Sequence, residues 1–210
     1  MDIQELLMPL LDDQQDMFNR ELADPTAIIK HDELSARHLW ISDVDINTVD
    51  DVSRWILRYN KEDLGKEPKD RKPVKLFIYS YGGDLDVTFQ LLSMIQCSKT
   101  PIYGYCLGQA CSAAFFILVG CHKRFALPMS TLMAHQGSAG MEGTYNVVTA
   151  QNDYYKRQIK NIGDIIVERT NIPRATYNKK IKTEWYMTTE EALKLGVIDE
   201  VIKDLDEVVS

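Results

Sequence analysis

The sequence predicts an α/β fold with crossover connections, and two observations carry that expectation. Strand-like segments such as "VKLFIYS" and "PIYGYCLG" alternate with segments whose apolar residues recur at helical spacing. The strand-then-helix order repeats down the chain, as parallel strands joined by helices require. No internal repeat, linker or second domain is legible, and 210 residues suffice for one domain with a full core.

Residues 1–35 are acidic and mixed, and Pro9 and Pro25 break any long helix there. "RHLWIS" reads as a first strand. In "DINTVDDVSRWILRYN" the residues Val49, Val52, Ile56 and Tyr59 recur at helical spacing behind an Asn47/Thr48 cap. A charged loop from Lys61 to Pro73 leads to the strand "VKLFIYS", and "YGG" turns into the helix "DVTFQLLSMIQCS". The strand "PIYGYCLG" runs into an apolar helix through "GQACSAAFF", followed by strands "RFAL" and "TLMAH". A Gly-rich stretch, "QGSAGMEG", opens the longest helix, Tyr145 to Arg169, with an apolar stripe from Val147 and Val148 through Tyr154, Tyr155 and Ile159 to Ile166. A short helix follows, with Pro173 suited to its first turn. Thr188 and Glu191 form a capping box, Gly196 stops that helix, and a last strand closes the chain.

Composition narrows the function classes. The apolar share is 45% and the charged share 26%, ordinary values for a soluble globular protein. A net charge of −7 argues against non-specific nucleic-acid binding, which needs a basic field. The longest apolar run, Ala113 to Cys121, is short of the about 20 residues a membrane helix needs. Asp2 and Glu5 stand where a secretory signal carries basic charge, so a cytoplasmic protein without membrane association is expected. Cys97, Cys106, Cys111 and Cys121 show no CxxC pairing and read as buried thiols rather than metal ligands.

Three features could carry chemistry. Ser112 falls at the start of a helix, where unpaired N–H groups favour a developing oxyanion, among residues small enough for close approach. His135 ends a strand beside a Gly-rich segment, a suitable place for a general base. Gly82 and Gly83 end another strand and could turn backbone N–H groups towards a ligand. Each also has a plainer reading on position alone: a helix cap, a surface histidine and a turn. His31, His38 and His122 lie in charged or irregular surroundings, and no nucleotide-binding glycine motif is present.

In combination, "SYGGDLD", "GQACSAA", "KRFALPMSTLMAHQG" and "YMTTEEALKLGVIDEVI" resemble the proteolytic subunit of the Clp proteases, the ClpP family, over about residues 36–203. The resemblance implies a ClpP/crotonase-like fold of repeated ββα units with a protruding handle helix at about 137–170, in a single domain over 36–210. It implies a serine endopeptidase without metal or organic cofactor, acting on peptide or unfolded protein within a homo-oligomer, a heptamer or double heptamer. Ser112 matches the family's nucleophile and His135 its general base. The backbone N–H groups of Gly83 and Ala113 match the oxyanion hole. Gln136, Gly137, Ser138, Ala139, Gly140 and Met141 fall in the extended segment that pairs with substrate.

The sequence departs from the family in three places. Glu184 stands where the family has aspartate as third triad member; either carboxylate can orient an imidazole. "HQG" replaces His-Gln-Pro, which loosens the chain leaving the histidine. Residues 1–35 do not follow the family's axial loops, so docking to an AAA+ unfoldase is left open. Three rival readings remain: a non-catalytic ring subunit, a crotonase-type acyl-CoA enzyme and a ClpP-like head-maturation peptidase of a bacteriophage.

Overall fold

In the computed structural model of the chain, residues 25–209 are described. Helix α1 (Pro25–Ser35) belongs to one compact unit, and Leu39–Ser210 forms the other. Of residues 1–35, where Pro9 and Pro25 are expected to break any long helix, the described part is the 11-residue α1, which begins at Pro25, and residues 1–24 lie outside the described residues.

The larger unit is organised around β3 (Ile102–Cys111), whose two halves have different neighbours. Along one edge runs β2 (Val74–Ser80), parallel to it, with Val74 opposite Ile102. Along the other edge, Tyr103 to Cys106 pair in parallel with β4 (Lys123–Ala126), while Gln109 to Cys111 pair in parallel with β5 (Thr131–Ala134). β1 (His38–Ile41) lies outside β2, and β7 (Glu200–Val201) pairs in parallel with β4. β6 (Trp185–Thr188) is the antiparallel member and pairs with β5. The fold is thus α/β on a mainly parallel sheet, as the strand–helix alternation predicts.

Helices complete the core. α2 (Ile46–Glu62) buries Val49, Val52, Ile56 and Tyr59, the periodic face read from the sequence. α3 (Leu85–Cys97) buries Leu91, Leu92 and Ile95. α4 (Ala113–Gly120) is apolar on every side, and all eight of its residues are buried. A helix enclosed in this way has little freedom to shift, so its first residue is a fixed point. The long helix α5 (Tyr145–Arg169) spans the range expected. Its last residue, Arg169, donates to the carbonyls of Val119 and Cys121 at 2.8 and 2.6 Å, fastening α5 to the end of α4. α6 (Arg174–Lys180) and α7 (Thr189–Lys194) follow, the latter with both bonds of the Thr188–Glu191 capping box formed.

A row of aromatic rings lies across the sheet. Trp40 contacts Phe77, Phe77 contacts Tyr105, and Tyr105 stacks on Phe125 with centroids 4.7 Å apart. Ile202 and Val208 pack into the same cluster, and the buried Lys75 donates from Nζ to the Val208 carbonyl at 2.8 Å, tying down α8 (Asp206–Val209). The charged loop after α2 is also anchored: fully buried Asp63 accepts from Lys66 and Thr100, and Arg71 donates to the Lys66 carbonyl.

Several sequence expectations need correction. The cap of α2 is Asp45, which accepts from the Thr48 N–H, because an aspartate one residue before the helix reaches that donor. Pro173 occupies the cap position of α6 with extended backbone rather than its first turn. β3 runs three residues past the expected Gly108, carried by its pairing with β5. β6 was not expected at all, since "EWYM" merges into the capping box that follows. Cys97 is exposed, not buried, while the other three cysteines are buried. The outer half of the α5 stripe is uncovered, with Tyr154 49% and Val147 45% exposed.

Candidate active site

Ser112 is the single residue between β3 and α4, and the turn forces it to φ 54° and ψ −121°. A non-glycine residue seldom adopts positive φ, and such strain persists only where the surroundings hold it. Here the Ser112 N–H donates to the Met133 carbonyl at 2.8 Å, and enclosed α4 follows at once. Although Ser112 stands at the cap position, its hydroxyl makes no capping bond. Oγ lies instead 2.7 Å from His135 Nε2. That contact distinguishes the site from an ordinary serine cap.

His135 reaches Ser112 because of the split in β3. β5 pairs with the last three residues of β3, so the residue after β5 emerges beside the residue after β3. Gln136 then donates to the Ile181 carbonyl at 2.8 Å and its own carbonyl accepts from Tyr155 Oη at 2.9 Å, fixing the chain just beyond His135.

Gly82 and Gly83 form the opposite wall. A bulge between Ile78 and Ser80 breaks the β2–β3 register, and Ser80 Oγ accepts from the Gly82 N–H at 3.1 Å. A Cβ placed on Gly82 would stand 2.8 Å from both Ser112 Cβ and the Cys111 carbonyl oxygen, so glycine is required for this approach. Val44 brackets the turn, donating to Gly82 O at 3.1 Å and accepting from Asp84 N at 2.8 Å. Among the described residues, the N–H groups of Gly83 and Ala113 have no backbone acceptor, and both residues line the cleft with Ser112. A developing oxyanion there would meet unsatisfied donors.

The cleft has a volume of about 550 Å³ and runs between Ser112–His135, the start of α3 and the face of α5. Asp86 Oδ1 accepts from Tyr154 Oη at 3.0 Å and from Gln158 Nε2 at 2.5 Å, joining α3 to α5 across its floor. Gln136, Gly137, Ser138, Ala139, Gly140 and Met141 all line it. They belong to no strand, and Gly137 has φ 80°. Among the described residues, Gly137 to Met141 make no backbone bond to another segment.

Glu184 follows a different pattern from Ser112 and His135. The β5–β6 ladder ends with Ala134 opposite Trp185, so His135 and Glu184 each stand one residue beyond its last pair. No hydrogen bond joins them among the described residues; Glu184 Oε2 accepts from Tyr186 Oη at 2.9 Å. That bond, with the carboxylate charge, raises the Tyr186 phenol above its ordinary pKa. Burial, with smaller contributions from Cys106 and Glu184, raises the Cys111 thiol. Tyr186 is not legible from the sequence because β6 is not; its place two residues after Glu184 is the available signal.

Of the other histidines, His122 accepts from the Ile102 N–H at 3.0 Å through Nδ1, and burial lowers its pKa. It joins the two ends of a crossover. Among the described residues, no group of three His, Cys, Asp or Glu side chains is placed to hold a metal ion, and no helix is long and apolar enough to cross a membrane.

Fold and site together define a class: a mainly parallel α/β protein with a serine at a strand-to-helix turn, a histidine from the adjoining strand end and an open cleft above them. The Clp protease family profile matches residues 59–204, well over half the chain, and the protein belongs to that family. The ATP-dependent Clp protease proteolytic subunit of Deinococcus radiodurans is 30% identical over 131 residues, covering 61% of this chain and 64% of that protein. The match thus spans less than two thirds of that relative's length.

Proposed function

We propose that the protein is a serine endopeptidase with Ser112 as nucleophile, His135 as general base and Glu184 as the acid that orients His135. The observation that carries this reading is the 2.7 Å contact between His135 Nε2 and an uncapping, strained Ser112 hydroxyl. His135 takes the Ser112 proton as Oγ attacks the scissile carbonyl. The N–H groups of Gly83 and Ala113 receive the oxyanion. Collapse breaks the C–N bond, and His135 returns the proton to the departing amine. Water, deprotonated by His135, then releases the acyl group from Ser112.

The substrate is peptide or unfolded protein, bound along Gln136 to Met141 by main-chain pairing; the reading is supported by Gly137 to Met141, which line the cleft and, among the described residues, make no backbone bond to another segment. Family membership supports a homo-oligomeric ring, a heptamer or double heptamer, working in the cytoplasm. An AAA+ unfoldase is the partner class this implies. The chemistry requires no cofactor.

Turnover of a short fluorogenic peptide, measured alongside mass in solution, tests the reading. The full chain should cleave the peptide as a ring-sized species, and Ser112→Ala should assemble equally while losing turnover. Full activity in Ser112→Ala would overturn the proposal.

A further inference from the structure

We infer that Tyr186 is a positioning residue that holds the Glu184 carboxylate for His135. The inference rests on the proposed roles of Ser112, His135 and Glu184. A glutamate has one more rotatable bond than an aspartate, so more side-chain freedom must be frozen before one oxygen can face an imidazole. Tyr186 supplies a constraint. Glu184 immediately precedes β6, and from the second residue of that strand the Tyr186 hydroxyl donates back to Glu184 Oε2 at 2.9 Å. An ionised carboxylate only accepts, so the direction of this bond is fixed.

The second oxygen is what His135 needs. His135 presents Nε2 to Ser112, which leaves Nδ1 to face a carboxylate, and His135 and Glu184 are the residues that flank the last pair of the β5–β6 ladder, Ala134 opposite Trp185. With Oε2 held by Tyr186, Oε1 remains for the Nδ1–H. The groups around the carboxylate are Cys111 from β3, Glu191 from α7 in the cavity beside Tyr186, His135 at the end of β5, and Lys180, whose Nζ lies 5.8 Å from the ring centroid of neighbouring Trp185. Among the described residues, the Tyr186 hydroxyl is the hydrogen-bond donor to the Glu184 side chain.

The test is a double-mutant cycle on peptide turnover by the full chain, using Tyr186→Phe, Glu184→Ala and the pair. Tyr186 is 57% exposed, so Phe should fold normally. Tyr186→Phe should lower kcat about tenfold with KM unchanged. In the Glu184→Ala background it should lower kcat no further, because the hydroxyl acts only through that carboxylate. Wild-type kcat in Tyr186→Phe, a rise in kcat, or the same tenfold loss in both backgrounds would overturn the inference. Unchanged turnover in Ser112→Ala would overturn the peptidase reading itself, and unchanged turnover in Glu184→Ala would remove Glu184 and Tyr186 together. A dead Ser112→Ala and impaired Glu184→Ala beside a normal Tyr186→Phe would remove Tyr186 alone.

Discussion

Gly82 packs so closely under Ser112 that a Cβ on the glycine would stand 2.8 Å from the Cβ of the serine. The proximity comes from two different strand ends, β2 and β3, and it leaves no room for any side chain at position 82. Gly82 also has φ 111°, which disfavours an L side chain independently of space. Gly82→Ala should therefore displace Ser112 or the Gly83 N–H and cut kcat about 100-fold, as misplacement near 1 Å does. Thermal stability should fall as well, because the atoms a Cβ would meet are backbone and the Ser112 Cβ rather than the end of a flexible side chain. Wild-type turnover in Gly82→Ala would remove the turn from the site.

Arg124 and Asp199 anchor β4 to the segment before β7. Arg124 donates to Asp199 through Nε at 2.9 Å and Nη2 at 2.6 Å, and through Nη1 to the Arg169 carbonyl at 2.8 Å. Burial alone raises the Asp199 carboxyl, but the Arg124 bonds and charge outweigh it, and the net pKa lies below the ordinary 3.8. A carboxylate with a depressed folded pKa stabilises the protein above its unfolded pKa, and that stability is lost as pH falls through the folded value. Asp199→Asn should lower Tm at pH 6, by the equivalent of about 1 kcal/mol for a part-exposed pair. The gap to wild type should narrow as pH falls below 3.8 through the lowered folded value. Melting curves from pH 6 into the acid range check this; a constant gap would contradict it.

The chain end is a structural element of the sheet. Val208 is 5% exposed among Phe77, Tyr105 and Ile202, and its carbonyl accepts from buried Lys75. Removing residues 206–210 uncovers that apolar cluster and deprives Lys75 of one acceptor. The expected cost is about 2 kcal/mol, from lost apolar burial and a lost bond to a charged group. For a chain of this length that lowers Tm by roughly 4–8 °C. An unchanged Tm in the truncated protein would show that Val208 contributes nothing.

Long periodic elements were legible in the sequence because their physics is local. The stripes of α2 and α5 and the Thr188–Glu191 box each follow from residues within a few positions of one another. What the sequence could not supply was pairing between distant segments. The extension of β3 to Cys111 depends on β5, twenty residues later, and β6 exists because Met133 and Ala134 present an edge to Tyr186 and Trp185. The site followed the same division. Ser112, His135 and Gly82–Gly83 stood out by residue type, and their resemblance to one family joined them. The non-capping hydroxyl, the bracket from Val44 and the Tyr186–Glu184 bond all need three dimensions.

The measurement that bears most directly on the central claim is mapping of a fluorophosphonate adduct by mass spectrometry of peptides. Such a reagent phosphonylates a serine only where a neighbouring base and oxyanion donors activate it. One adduct per chain is expected, on the peptide containing Ser112, abolished in Ser112→Ala and strongly slowed in His135→Ala. An intact protein that takes up no label, or takes it up equally after Ser112→Ala, would contradict the account.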